Sequence, residues 1–226
     1  MTIVVTAAIL LMVMKRVEGN MWMLEGAISQ RSENTIPSSD NSTSDGIWGK
    51  LRVEHRDHTF ADLETYRTLH LALNLTIDME GEEVEGYVET TLVKLRPSWS
   101  YHLYGLSPGL VLDIGPFVSI RKVEDIISGT DVSFEAHCRG VEEDPTEVLR
   151  CVLIVQDPIS GVGEVQIRIH YTVQRGTSAL HFIQPHQTME GSHKFLTAIT
   201  QPSDARGWIP CQDTPAIKFP FRAEIR

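Results

Sequence analysis

Residues 69–77 read Leu-His-Leu-Ala-Leu-Asn-Leu-Thr-Ile, and residues 84–95 read Val-Glu-Gly-Tyr-Val-Glu-Thr-Thr-Leu-Val-Lys-Leu. In the first stretch Leu69, Leu71, Leu73, Leu75 and Ile77 occupy every odd position, with His70, Asn74 and Thr76 among the residues between them. Successive side chains of a strand point to opposite faces, so a period of two over this length predicts a half-buried strand. Met79-Glu80-Gly81 turns the chain, and the second stretch then returns antiparallel across a short acidic connection. The result is a hairpin, and the hairpin sets the fold class.

The same texture extends outward from it. Strand-sized apolar stretches are predicted over 99–106, 110–114, 117–123, 131–137, 149–155 and 165–173, separated by breaks such as Ser107-Pro108-Gly109 and Gly115-Pro116. In the last of these, Val165, Ile167, Ile169, Tyr171 and Val173 share one face. No window carries a 3.6-residue period. Many short strands with closely spaced turns predict an all-β domain of antiparallel curved sheets or a β-sandwich. Residues 30–49 (QRSENTIPSSDNSTSDGIWG) hold too few large apolar side chains to offset their ordering entropy, so a disordered leader is expected there. The chain divides into 1–50, an apolar N-terminal segment plus that leader, and 51–226, the β domain.

Composition removes several function classes. The 226 residues are 42% hydrophobic, enough for a sizeable core, and 30 acidic against 20 basic residues leave a net charge of −10, the wrong sign for gathering phosphates. No nucleic-acid partner is expected. The apolar run at 2–14 is 13 residues long, whereas a spanning helix needs about 20, so no membrane span is expected. Lys15 and Arg16 follow this run, where a signal peptide would carry basic residues before it. Three cysteines, Cys138, Cys151 and Cys211, are an odd number without Cys-Xaa-Xaa-Cys spacing, which suggests neither a disulfide framework nor a cysteine zinc site. The expected compartment is therefore the cytoplasm, with the secretory pathway, entered through the apolar segment, as the alternative. The sequons at Asn41 and Asn74 matter only in that alternative.

No catalytic constellation emerges from spacing. His55 and His58 are three apart and His181 and His186 five apart, and neither pair has the spacing that sets two imidazoles and a general base on one helix. Gly-Xaa-Ser-Xaa-Gly is absent. The carboxylates Asp78, Glu80, Glu82, Glu83 and Glu85 read as a solvated hairpin edge that discourages aggregation.

The C-terminal third carries a more specific signal. Ser178-Ala179-Leu180 is followed by Gln184-Pro185-His186-Gln187-Thr188, then Thr200-Gln201, Ala205-Arg206, and Pro210-Cys211-Gln212-Asp213-Thr214-Pro215 with Lys218. This combination resembles the N-terminal domain of the M1 zinc aminopeptidases, most closely the branch of leukotriene A-4 hydrolase and aminopeptidase B. The resemblance covers the chain from about residue 60 to its end. It implies a saddle-like β domain that forms part of the substrate cleft of an enzyme removing N-terminal amino acids from peptides.

The family's zinc-binding helix, exopeptidase strand and transition-state tyrosine belong to a second domain, and their motifs are absent from these residues. The expectation is therefore a fragment, inactive and without cofactor by itself, with zinc held in the full-length enzyme. The resemblance gives Gln201 the role of binding the peptide's amino-terminal residue, through an amide that both donates and accepts. Ile199 stands where the leukotriene hydrolase branch carries a glutamine, which speaks against activity on the lipid epoxide. Two prolines should make 210–215 a rigid irregular loop, with Arg206 able to pair with Asp213, Gln212 satisfying backbone groups and Cys211 buried. Loss of the catalytic domain would leave an apolar face open to self-association. The alternative from a different class is a stand-alone β-sheet interaction module, binding a protein or peptide by its edge or face.

Overall fold

The computed structural model describes the chain at residues 59–61, 63–97, 109–139, 150–157, 162–189, 191–200 and 203–226, and the backbone of three strands nearer the start. Those are β1 (Ile3–Val5), β2 (Val13–Val17) and β3 (Met21–Ala27). The leader expected at 30–49 and the strand expected at 99–106 lie outside the described residues.

The predicted hairpin is β4 (Tyr66–Asp78) and β5 (Glu83–Lys94), antiparallel in the register Leu73↔Val88 and Ile77↔Val84. Around it are β6 (Gly109–Ile114), β7 (Val118–Asp125), β8 (Thr130–Asp131), β9 (Phe134–Arg139), β10 (Arg150–Gln156) and β11 (Gly163–Val173). The C-terminal third adds β12 (Leu180–Ile183), β13 (Phe195–Ala198) and β14 (Pro220–Ile225). An eight-stranded sheet runs β2-β3-β14-β4-β5-β11-β7-β8, and two three-stranded sheets run β6-β10-β9 and β1-β13-β12. Most pairings are antiparallel, but β14 joins β4, and β1 joins β13, in parallel. Among the described residues there is no α-helix, only 3-10 turns at Pro185–Gln187 and Ala205–Gly207, and no helix is long and apolar enough to cross a membrane.

Alternation decides what is buried. Val165, Ile167, Ile169, Tyr171 and Val173 of β11 all point into the core, as do Val84, Val88 and Leu92 of β5. Each such aliphatic side chain contributes about 1.5–3 kcal/mol on leaving water. On β4, Leu71, Leu73 and Leu75 are buried, but Leu69 is exposed, against the expectation that all five odd positions share a buried face. The ladder to β5 shifts between Thr68 and His70, so one extra residue bulges out there and the inward parity switches to Tyr66 and Thr68. Strands β6 and β10 are buried on both faces. Leu110, Leu112, Ile114, Cys151, Leu153 and Val155 join the main core, while Val111, Val152 and Ile154 meet Phe60 behind it. Where the sheets meet, Lys94 is fully buried and offsets that burial by pairing with Asp157, which also accepts from the Tyr66 hydroxyl.

The expectation for the cysteines is also overturned. Cys138 and Cys151 sit directly opposite each other in the β9–β10 ladder and form a disulfide across it, leaving Cys211 as a buried free thiol. The two residues are 13 apart in sequence with no paired spacing. Only the antiparallel return of β10 along β9 makes them neighbours.

The solvent face of β5, β11, β7 and β8 is a cross-strand charge ladder. Arg168 donates from Nε and Nη2 to Glu89 Oε1 at 3.0 and 2.6 Å. Glu124 contacts Lys122 at 2.5 Å and His170 at 3.0 Å, and Lys122 also reaches Asp131 at 2.9 Å. The Lys122 ammonium first, and His170 second, hold the Glu124 carboxyl down to about 2 from an ordinary 4.5. A carboxyl lowered in the fold adds stability that is present above about pH 4.5 and is lost as the pH falls toward 2. Glu124→Gln should therefore lower the urea midpoint at pH 7 and shallow its fall between those pH values, so that the two proteins converge near pH 2. Urea titrations of both proteins across that window check it.

Candidate functional site

Residues 210–215 form no ladder strand, because Pro210 and Pro215 withhold two backbone donors, yet Pro210 through Thr214 are buried. Buried irregular backbone must find partners elsewhere, and here it finds them in side chains. Gln212 accepts at Oε1 from the Thr68 N–H and hydroxyl, both at 2.9 Å, and donates from Nε2 to the Tyr66 carbonyl at 2.9 Å. It thereby occupies the stretch beside the β4 bulge, where the ladder is irregular. The Cys211 backbone pairs with β6, accepting from the Asp113 N–H at 2.8 Å and donating to the Asp113 carbonyl at 3.2 Å.

The centre of the arrangement is Asp113, a fully buried carboxylate one residue from the end of β6. Its Oδ1 accepts from the Phe60 N–H at 3.0 Å and from Arg206 Nη1 at 3.3 Å, and its Oδ2 accepts from the Thr59 hydroxyl and from the Asp213 N–H at 3.2 Å. Four donors around two oxygens leave no place for a proton, so the ionised form is held. Burial pushes the Asp113 carboxyl upward, and the Arg206 guanidinium opposes that push most strongly. Arg206 spans a second carboxylate as well. Its Nε donates to Asp213 Oδ2 at 2.8 Å, its backbone N–H to the same oxygen at 3.2 Å, and Nη2 to the Asp213 carbonyl at 3.2 Å. The guanidinium thus bridges Asp113 and Asp213 and does not fork onto one carboxylate. Burial works against its charge, but the two carboxylates outweigh that and raise its pKa.

Arg206 sits in the turn Ala205–Gly207, which approaches two neighbours very closely. A Cβ on Gly115 would come within 2.8 Å of Gly207 Cα, and one on Gly207 within 2.7 Å of the Ala179 Cβ. Only hydrogen fits at either position. The Ser178-Ala179-Leu180 stretch is anchored to this turn: the Thr177 hydroxyl donates to the Gly207 carbonyl at 2.8 Å, and the Ser178 hydroxyl to Asp204 Oδ2 at 3.0 Å. Gln184, which opens the Gln-Pro-His-Gln-Thr turn, donates to Glu82 Oε1 at 2.9 Å, and Arg175 pairs with Glu82 Oε2 at 3.0 Å. Glu82 is therefore tied down and not part of a solvated edge. It is also the one described non-glycine residue with positive φ, +57°, in the β4–β5 turn.

Of the residues singled out from sequence, Arg206, Pro210, Cys211, Gln212, Asp213 and Thr214 come together in this network, and Pro215 borders it half-buried. Lys218 points to solvent. Gln201 lies outside the described residues, but both its flanks are fixed. Upstream, the Ile199 N–H donates to the Ala179 carbonyl at 2.8 Å; downstream, the Asp204 N–H donates to the Thr200 carbonyl at 3.2 Å. Asp113, Thr59 and Thr68 were missed. The available signal was an aspartate within the otherwise apolar run 110–114, which can be buried only beside a cation.

This network is not built for chemistry. Its polar atoms are committed to one another, and the Cys211 thiol is pushed well above its ordinary range by burial and then by Asp213 and Asp113. Among the described residues no three His, Cys, Asp or Glu side chains are grouped to hold a metal. His181 and His186 are exposed, and His55 and His58 lie outside the described residues. A zinc ion does not fit the described side chains. What the network does is lock a loop. Arg206→Ala, which strands two buried carboxylates, should cost about 3–5 kcal/mol, and Arg206→Lys should recover little because one ammonium cannot bridge both. Lys218→Ala should stay within about 0.5 kcal/mol. Urea unfolding followed by tryptophan fluorescence measures all three.

Comparison with known proteins bears on the same segments. No family model matches the chain. Leukotriene A-4 hydrolase of Xenopus laevis is 25% identical over 168 residues, covering 74% of this chain and 25% of the relative. Leucine aminopeptidase 2 of Coccidioides immitis is 26% identical over 164 residues, covering 73% and 24%. The solved structure of native leukotriene A4 hydrolase from Saccharomyces cerevisiae superimposes with a TM-score of 0.60 at 23% identity, over 74% of this chain and 24% of that one, a likeness of fold. The chain spans about a quarter of the length of the curated relatives it matches. In sequence and in β architecture it resembles the N-terminal domain of the M1 zinc aminopeptidases, on the side of leukotriene A-4 hydrolase, as its C-terminal motifs imply.

Proposed function

We propose that this chain forms the N-terminal wall of the substrate cleft in a zinc metalloaminopeptidase, an enzyme that removes N-terminal amino acids from peptides. Zinc and the hydrolytic step belong to a catalytic domain outside the sequence in hand, and the chain's own contribution is to hold the substrate's amino terminus through Gln201. The observation that carries this reading is the bracing of residues 199–204. A hydrogen bond from Ile199 to Ala179 on one side and the Asp204–Thr200 bond, backed by Ser178, on the other fix the described residues that flank Gln201. The match over about three quarters of this chain to one quarter of leukotriene A-4 hydrolase supports the same division of labour. The apolar face that meets the catalytic domain would, when uncovered, support self-association.

The disulfide also bears on the proposed compartment. In a reducing cytoplasm Cys138 and Cys151 would be thiols, so the bond favours the secretory alternative over the cytoplasm first expected.

The test joins the full chain, residues 1–226, to the catalytic domain of a leukotriene hydrolase-type relative and compares Gln201→Ala with the parent chimera. The expected loss is about 1–3 kcal/mol of transition-state binding, or a fall of about 5- to 150-fold in kcat/KM, with melting temperature nearly unchanged. Full aminopeptidase efficiency in the variant would return Gln201 to a polar strand end.

A further inference from the structure

The β9–β10 disulfide is unlike the rest of the interior, because its two ends live in different environments. Cys151 lies on β10, the middle strand of its sheet, with no exposed surface, followed by Val152, Leu153, Ile154 and Val155, all buried. Cys138 is exposed, on a strand whose other described side chains, Phe134 to His137, are exposed or half-buried. Strand β9 is the edge of its sheet and pairs with β10 alone. Its ion pair, His137 with Glu135 at 2.9 Å, lies within the strand and ties it to nothing else. At its start β9 is anchored by backbone, the Gln156 N–H donating to the Ser133 carbonyl at 2.8 Å and Val132 to Val123 at 2.9 Å. Toward its end, the ladder to β10 and the Cys138–Cys151 bond are what hold it among the described contacts.

We propose that Cys138–Cys151 is a thiol-exchange site, attacked at Cys138 by a low-molecular-weight thiol, whose opening releases the far end of β9 from β10. The incoming thiolate approaches Cys138, the exposed partner of the pair, and forms a mixed disulfide with it. The Cys138–Cys151 bond breaks, and the electron pair leaves with the Cys151 sulfur, which takes up a proton. A second thiol then attacks the mixed disulfide, releasing Cys138 as a thiol and the oxidised thiol dimer. Two small thiols are thereby oxidised to one disulfide while the protein disulfide is reduced to two thiols. A Cys151 thiolate stranded in the apolar interior is unfavourable, so cleavage and lifting of the strand proceed together. The opening is local, because β9 contributes no side chain to the fully buried core while β4, β5 and β11 supply its bulk. This site is independent of Gln201 and of any peptidase activity.

The experiment treats the purified oxidised chain with reduced glutathione, traps the products with acid, and maps adducts and backbone hydrogen exchange by peptide mass spectrometry. The expected adduct is on Cys138, with none on Cys151 or the buried Cys211. On full reduction, amides of 134–139 and 150–156 should exchange at least about tenfold faster, while those of β4, β5 and β11 keep their rates. Cys138→Ser without reductant should reproduce the reduced pattern, and should that variant fail to fold, reduction of the wild-type chain decides alone. An adduct on Cys151, unchanged β9 exchange after complete reduction, or acceleration across every strand would each overturn the proposal.

Discussion

Asp113 is the constraint on which the C-terminal half depends. A carboxylate without exposed surface survives only where its lone pairs are filled and its charge is met, and both requirements reach across the fold. Phe60 and Thr59 come from the segment before β4, the Asp213 N–H from the proline loop, and the guanidinium from the turn after β13. Three chain segments that share no ladder are fixed by one side chain. Because the carboxylate is satisfied only when all of them arrive, the loop is specified by polar chemistry where the backbone offers no sheet to join.

The remaining polar anchors follow the same logic. Gln212 supplies both partners of an amide beside the bulge of β4, and Lys94 with Asp157 and Tyr66 closes the seam between the large sheet and the β6–β10–β9 sheet. In each case a long side chain bridges a place where a ladder is broken or ends. The apolar alternation of β5 and β11 supplies the driving force, and these bridges choose one arrangement among those with similar burial.

The parts of the fold that were readable in sequence are those governed by a local period. The β4–β5 hairpin, β6, β7, β10 and β11 follow from alternation or from a continuous apolar run between turns. The bulge at Leu69 was not readable, since one residue changes parity without altering composition. Neither was the disulfide, because adjacency of Cys138 and Cys151 is a property of register between strands, and register is a long-range outcome. Strands β12 to β14 are short and flanked by irregular segments, so residues 176–225 yielded to motif resemblance and not to periodicity. The Arg206–Asp213 pair could be named from that motif, but its third member could not, because Asp113 stands 93 residues away and resembles a stray charge in an apolar strand.

The polar side chains of the Asp113–Arg206–Asp213 network are consumed in holding one loop, which suits this network to positioning and not to chemistry. Presenting a single amide to a ligand is favourable only if the loop that carries it does not have to be ordered on binding; each rotamer-rich side chain immobilised at that moment costs about 0.5–1.5 kcal/mol. Here the expense falls at folding. The glycine contact between Gly115 and Gly207 lets the Arg206 turn press against β6, the turn fixes Asp204, and Asp204 closes the residues after β13 by its bond to Thr200. The Arg206 network and the residues on either side of Gln201 then belong to one device. Rigidity is generated in the interior, where charge pairing is strong, and reaches Thr200 and Asp204, which the turn ties together.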